Sequence, residues 1–265
     1  MGPTFDLYVH RQSWLHCLDP RTKLAFVILV TVLLLSFQHL VFLLACLIIW
    51  HGVLLSAQIP PDRLRWVWER MLPLTLLIFL LWPLFDPQGR QVLLQIWRIR
   101  IAAESVLRGL ATALRVDALA FAFFILLFST DQAGLVRGLV KLGLPYTWGL
   151  TLAIALRYIP TFHGVYINVM EAQQARGWIV GRGDFITRLR SYLPVLVAVI
   201  IIALRMTDHL AMALAARGLG AGPQRTTFRD VRFSRKDGLC LVGLAALAGV
   251  LFTVRWAYGW GAGPW

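Results

Sequence analysis

Ala-Arg-Gly occurs twice in this chain, at Ala175-Arg176-Gly177 and Ala216-Arg217-Gly218. The chemistry on offer is recognition of a carboxylate. An arginine carries a permanent charge on a planar fork that can hold a carboxylate through two parallel bonds. The alanine before it leaves room for close approach. The glycine after it accepts the left-handed conformation that ends a helix. Each copy follows a long helical pattern, so Arg176 and Arg217, shaped by Ala175, Gly177, Ala216 and Gly218, read as two cationic helix tips gripping two equivalent partner surfaces. A single copy would be explained as a good helix ending, since arginine complements the dipole at a helix C-terminus. Two copies on successive long helices favour binding.

No other constellation carries a reaction. His10, His16, His39, His51, His163 and His209 have no metal-ligand spacing, and no Gly-x-x-x-x-Gly-Lys-[Ser/Thr] loop is present to cradle a nucleotide. Cys17, Cys46 and Cys240 are scattered and suggest neither a disulfide framework nor a metal cluster. Asp117 and Arg115 flank an apolar run and could pair. The expectation is a chain without catalytic residues, resident metal or cofactor.

The elements that must carry the two tips belong to a membrane protein. The chain is 58% hydrophobic and only 15% charged, against roughly a quarter charged in soluble domains. No Asp, Glu, Lys or Arg occurs from Leu24 to Pro61, a stretch long enough for a membrane hairpin. Net charge is +13, and residues 131–238 hold 14 Lys/Arg against 6 Asp/Glu. Basic excess beside membrane helices marks the cytoplasmic side; it points to anionic lipid and an acidic protein partner rather than nucleic acid. The first 23 residues do not read as a removable signal peptide.

Five spans follow from the apolar runs: Leu24–Phe37 and Leu40–Ala57 as a tight hairpin, Met71–Phe85 after a charged connector over Asp62–Arg70, a helix from Ala103 to Phe128, and Leu239–Val254. Val92, Leu94, Ile96, Ile99 and Ile101 alternate over a strand-like or interfacial piece. Asp131–Leu142 reads as a short amphipathic helix. Two long helices come next, Tyr146–Arg176, with Pro160 inside it, and Pro194–Arg217. Ala203, Thr207, Ala211 and Ala215 line up at four-residue spacing on the second, a small-residue stripe that would let another helix cross closely. The fold expected is an all-α polytopic membrane protein: N-terminal transmembrane helices over 1–130, a cytoplasm-side region of crossing helices over 131–235, and a C-terminal transmembrane helix over 236–265. The basic block puts the N-terminus inside and the C-terminus outside, although five arginines between 90 and 115 then stand on the outer side.

The chain resembles the membrane-embedded scaffold, or T component, of energy-coupling factor (ECF) importers for vitamins and metals. Leu18-Asp19-Pro20-Arg21-Thr22-Lys23-Leu24 resembles the family's entry to its first span, and Leu156-Arg157-Tyr158-Ile159-Pro160-Thr161 the approach to its coupling helices. Glu171–Gly177 and Asp208–Gly218 are similar to its two signature helix ends. The resemblance implies a prokaryotic cell-membrane subunit that binds no ATP itself. Its two Ala-Arg-Gly tips would dock onto two ATP-binding-cassette subunits, one each. Its long helices would cross and present an apolar surface to a membrane-embedded substrate-capture subunit, so that ATP-driven motion passes from one to the other. The residue two before Arg217 is commonly acidic in the family and is Ala215 here; Arg205 with Asp208 is the pair expected to replace it. The competing readings are a conventional ABC importer permease, whose Glu-Ala-Ala…Gly loop is partly imitated by Glu171-Ala172 and Gly177, and a lipid-modifying membrane enzyme. The first would carry one coupling loop rather than two tips, and the second lacks a paired acid and base.

Overall fold

A computed structural model describes residues 7–11, 13–86, 92–96, 99–178, 184–220, 222 and 233–258. Most of the turn that the sequence predicts at Asp86–Gly89, of the loop at Gly181–Asp184 and of the arginine-rich linker at Gly220–Asp237 lies outside them. The described elements are α1 (Pro20–Ser36), α2 (Leu40–Ser56), α3 (Pro61–Phe85), β1 (Val92–Ile96), β2 (Ile99–Ala102), α4 (Ala103–Ser129), α5 (Gln132–Lys141), α6 (Tyr146–Ala175), α7 (Phe185–Ser191), α8 (Leu193–Ala216) and α9 (Arg235–Tyr258). β1 and β2 pair antiparallel, with Ile96 opposite Ile99, where the alternation predicted strand. The chain divides into two compact units, 1–144 with 231–265, and 145–230.

In the first unit α4 is the central helix and packs against α1, α2 and α3. Phe121, Ala122, Ile125 and Phe128 of α4 meet Leu43, Trp50 and Leu54 of α2, Val30 and Leu34 of α1, and Leu64 and Val67 of α3 in one buried cluster. Gly109 lets α3 and α4 close up: a Cβ there would sit 3.2 Å from Trp82 Cβ and 3.4 Å from Phe79 O. The expected α1–α2 hairpin is looser than read. The two helices meet through the Phe26–Trp50 and Phe37–Phe42 rings, while each lays its seam on α4. The charged connector over 62–70 is also corrected. It forms the first turns of α3, started by Pro61 at the position where a missing N–H costs nothing. α5 and α9 both return to α1.

By length and composition, α3, α4, α6, the 185–216 stretch and α9 can cross a membrane. α1 and α2, at 17 residues each, lie at the short end of the roughly 17–25 residues that a span takes. Of the five spans read from the sequence, α3, α4 and α9 are among these long apolar helices; α6 and 185–216 reach the same length and apolarity.

Arg115 and Asp117 do not pair. The Arg115 Nη2 donates to Phe37 O at 3.2 Å, closing the open C-terminal end of α1, where a cation also suits the dipole. Buried Asp117 has Oδ1 2.7 Å from the Thr75 hydroxyl. Arg108 is held by Asp86 at 3.3 Å and Glu104 at 3.8 Å. Two of the five arginines that argued against the expected topology are therefore engaged within the fold.

In the second unit α6 and α8 pack against each other, with α7 beside α8. α6 is helical without a break across Pro160. Phe162, Val165, Val169 and Ala172 recur at helical spacing, which predicts one inward face; Phe162, Val165 and Val169 lie half-buried, Ala172 is exposed, and Asn168, Glu171 and Gln174 lie exposed on the polar side.

Candidate functional site

Both Ala-Arg-Gly segments end their helices with the same local structure. Arg176 is the C-cap of α6 at φ −82°, ψ 8°, and Arg217 the C-cap of α8 at φ −86°, ψ 10°. Gly177 and Gly218 follow at φ 79° and 73°, a conformation that costs an L-residue about 1–2 kcal/mol. The Gly177 N–H donates to Gln174 O at 2.9 Å and the Trp178 N–H to Gln173 O at 3.0 Å. In the second copy the Gly218 N–H donates to Ala215 O and the Leu219 N–H to Leu214 O, both at 2.9 Å. These paired backward bonds form the Schellman ending. Each arginine is thus the last residue with helix-like backbone, on an end fixed by two extra bonds. Ala175, Arg176, Gly177, Ala216, Arg217 and Gly218 are all exposed. Neither guanidinium forms an ion pair among the described residues.

The two tips lie far apart. The Trp178 indole N–H donates to Ser191 O at 2.9 Å, which sets the start of α8 beside the end of α6. α8 then runs 24 residues to Arg217, about 36 Å at 1.5 Å per residue. The arginines stand on the order of 35 Å apart, a spacing suited to two separate surfaces. Trp178 was not singled out by the sequence reading; only its place directly after the first tip hinted at a role.

The small-residue stripe is divided. Ala203 is half-buried, but Thr207, Ala211 and Ala215 are exposed, and the Thr207 hydroxyl donates back to Ala203 O at 2.9 Å. The half-buried side of α8 runs instead through Ala198, Ile202, Met206, Leu210 and Leu214. Arg205 and Asp208 are exposed, and no ion pair joins them among the described residues.

The entry motif over 18–24 folds into a buried polar junction in the first unit. The Asp19 side chain caps α1 by accepting the Arg21 N–H at 2.9 Å. Its own N–H donates to Asp237 Oδ1 at 2.8 Å, and Asp237 Oδ2 accepts the Ser234 N–H at 2.9 Å. The Lys23 ammonium donates to Ser129 O at 2.8 Å and to the Thr130 hydroxyl at 3.1 Å. The junction ties the start of α1 to the start of α9 and the end of α4. Before α1, the Val9 N–H donates to Phe128 O at 3.0 Å, and His16 Nε2 lies 2.9 Å from Val9 O. Burial pushes the His16 imidazole below its ordinary range.

Residues 11–227 match the family model CbiQ, described as cobalt transport protein. The chain is 31% identical to the energy-coupling factor transporter transmembrane protein EcfT of Lactococcus lactis subsp. cremoris, over 94% of this chain and 96% of that one. It is likewise 31% identical to the protein of that name from Bacillus subtilis, over 94% and 96%, and 28% identical to that from Staphylococcus aureus, over 94% and 96%.

Proposed function

This chain belongs to the CbiQ family of cobalt transport proteins, and on that premise we propose that it is the transmembrane coupling subunit of an energy-coupling factor importer. Arg176 and Arg217 each dock on one ABC-type ATPase subunit, entering an acidic groove. ATP is bound and hydrolysed by those partners. Closure of the ATPase pair moves the tips, and α6 and α8 pass the movement to a membrane-embedded substrate-capture subunit that delivers a vitamin or transition-metal ion. The protein resides in a prokaryotic cell membrane with its N-terminus and both tips in the cytoplasm. The basic balance of residues 131–238 supports that orientation.

One observation carries the docking role: the same exposed arginine, on the same Schellman ending, stands at the end of each long helix. If helix termination were the only requirement, glycine alone would meet it. Two identical prongs about 35 Å apart suit a pair of like subunits. The test is co-purification with the ATPase pair and substrate uptake by Arg176→Glu, Arg217→Glu and the double variant. Removing one partner of an interfacial charge pair costs roughly 2 kcal/mol or more, so each single change should weaken capture by about thirtyfold and the double change should abolish it. Full assembly and uptake in the double variant would refute the docking role.

A further inference from the structure

α7 (Phe185–Ser191) is a short helix outside both tips. It turns three bulky apolar side chains outward: Phe185, Ile186 and Leu189 are 80%, 63% and 64% exposed. On a helix turning about 100° per residue these three fall within one arc of about 100°. Arg188 and Arg190 stand on its two shoulders, each about 100° from its centre. The C-terminal end of the helix is held by protein. Ser191 is buried, its hydroxyl donates to Arg188 O at 2.6 Å, and its carbonyl accepts the Trp178 indole. The exposed apolar surface continues into the first turns of α8 at Leu193, Leu196 and Val197.

We propose that α7 anchors the first tip to the cytoplasmic surface of the membrane. Phe185, Ile186 and Leu189 enter the boundary between headgroups and acyl chains. Arg188 and Arg190 reach the phosphates of anionic lipids on either side. An apolar wedge with a cation on each shoulder is the arrangement in which long stems stay in the apolar layer while charged heads rise to the phosphate plane. Anionic leaflet charge attracts such cations, and α7 itself contains no acidic residue. The Trp178–Ser191 bond fastens the anchor to the residue two beyond Arg176. That α7 anchors a docking tip rests on the docking reading of Arg176; membrane contact by α7 does not.

The test uses the full chain with Cys17, Cys46 and Cys240 replaced by alanine, a single Phe185→Cys carrying an environment-sensitive fluorophore, and the ATPase subunits present. The complex is reconstituted into vesicles of phosphatidylcholine alone or with phosphatidylglycerol. The expected result is blue-shifted emission in the phosphatidylglycerol vesicles, quenched by lipids brominated on the acyl chain. Most of that shift should be lost in Arg188→Gln/Arg190→Gln. The same fluorophore at Thr187→Cys, on the opposite side of α7, should stay water-like. Water-like emission from position 185 in both vesicles overturns the anchor. So does shielding that arises only when ATPase subunits are added and ignores brominated lipid, which would make α7 a protein contact. An equal shift in both lipids overturns the assignment to anionic headgroups. Lipid contact at position 185 together with undiminished ATPase capture by the Arg176/Arg217 double variant would sink the docking reading and leave the anchor standing.

Discussion

The two units of this molecule differ in whether they hold a buried core. The first does: Phe37, Leu43, Leu54, Phe121 and Phe128 are fully buried, and Asp19, Lys23 and Asp237 have hydrogen-bond partners inside it, while outer faces such as Leu76, Leu80 and Phe85 of α3 stay exposed. In the second, among its described residues, only Gly149, Ser191 and Val195 are buried. Its apolar side chains cannot be core, because no core surrounds them. They belong to surfaces that lipid or other subunits cover. Apolar helices therefore do different work: in the first unit their inner faces hold the fold, and in the second they have no core to join. Substitutions in the first unit should register as lost stability of the chain itself, and substitutions in the second as lost assembly or uptake.

The largest stability effect is expected at Asp237. Replacing it with Ala leaves the buried Asp19 N–H without its acceptor and frees the Ser234 N–H. Hydrogen bonds to charged groups contribute about 1.5–3 kcal/mol each, and orphaned buried donors cost a similar amount, so Asp237→Ala should lose about 3 kcal/mol in chemical unfolding of the detergent-solubilised chain. Asp237→Asn, which keeps one acceptor oxygen, should lose about half of that. Wild-type stability in Asp237→Ala would mean that the junction of α1 with α9 does not hold the first unit.

Glycines sharpen the contrast, because the two units use them for different reasons. Gly109 is a packing glycine, and Gly109→Ala forces a methyl against Trp82, Phe79 and Pro83. Overpacking of this kind costs about 1–3 kcal/mol, and the same unfolding measurement should show about 2. Gly177 has nothing within 4 Å of a built Cβ; its requirement is the positive φ alone. Gly177→Ala should lose about 1 kcal/mol locally, with little change in global unfolding, while the displaced Arg176 weakens ATPase capture. If Gly177→Ala left capture untouched and Gly109→Ala left stability untouched, the comparison between the units would fail at both ends.

His16 gives a smaller effect with a definite sign. Its folded-state affinity for protons is depressed by burial, so the unfolded chain takes up the proton first as pH falls. The stability it contributes is present above the ordinary histidine range, near 6.5, and is lost as pH drops through the lower folded value. A shallow loss of stability on acidification, absent in His16→Gln, is the expected observation.

Local signals were legible and distant ones were not. The bounds of α4, α5, α6 and α8 followed from apolar period, Pro194 and the two terminal glycines, all encoded within a few residues; that Asp131 caps α5 through the Gly134 N–H emerged only in the structure. The partner of Asp19 was hidden because Asp237 lies 218 residues away and stands in a polar stretch that resembled linker. The first turns of α3 were read as a connector because their charges suggested an interface, yet Arg65 and Glu69, at 2.9 Å, are an ordinary pair on a helix surface. Arg115 was matched with Asp117 by proximity in sequence. Residues two apart on a helix point to different sides, so one closes α1 and the other meets Thr75.

The smallest effect on the chain itself is expected at the alanine stripe. Ala211 is exposed on α8, and Met206 is half-buried on the side of that helix marked by Ile202 and Leu210. Met206→Ala should destabilise the α6–α8 pair by about 1 kcal/mol, a fraction of the 2–5 seen for fully buried side chains. Ala211→Leu should change stability by less than about 0.5 kcal/mol, as exposed substitutions do. Uptake by the assembled complex separates the two meanings of the stripe. If Thr207, Ala211 and Ala215 receive a helix of another subunit, Ala211→Leu should sharply reduce uptake with the fold intact, because a leucine keeps two backbones apart where an alanine lets them meet. If uptake is unchanged, the alanines serve only helix propensity, and close crossing is confined to the side of α8 that includes Ala203.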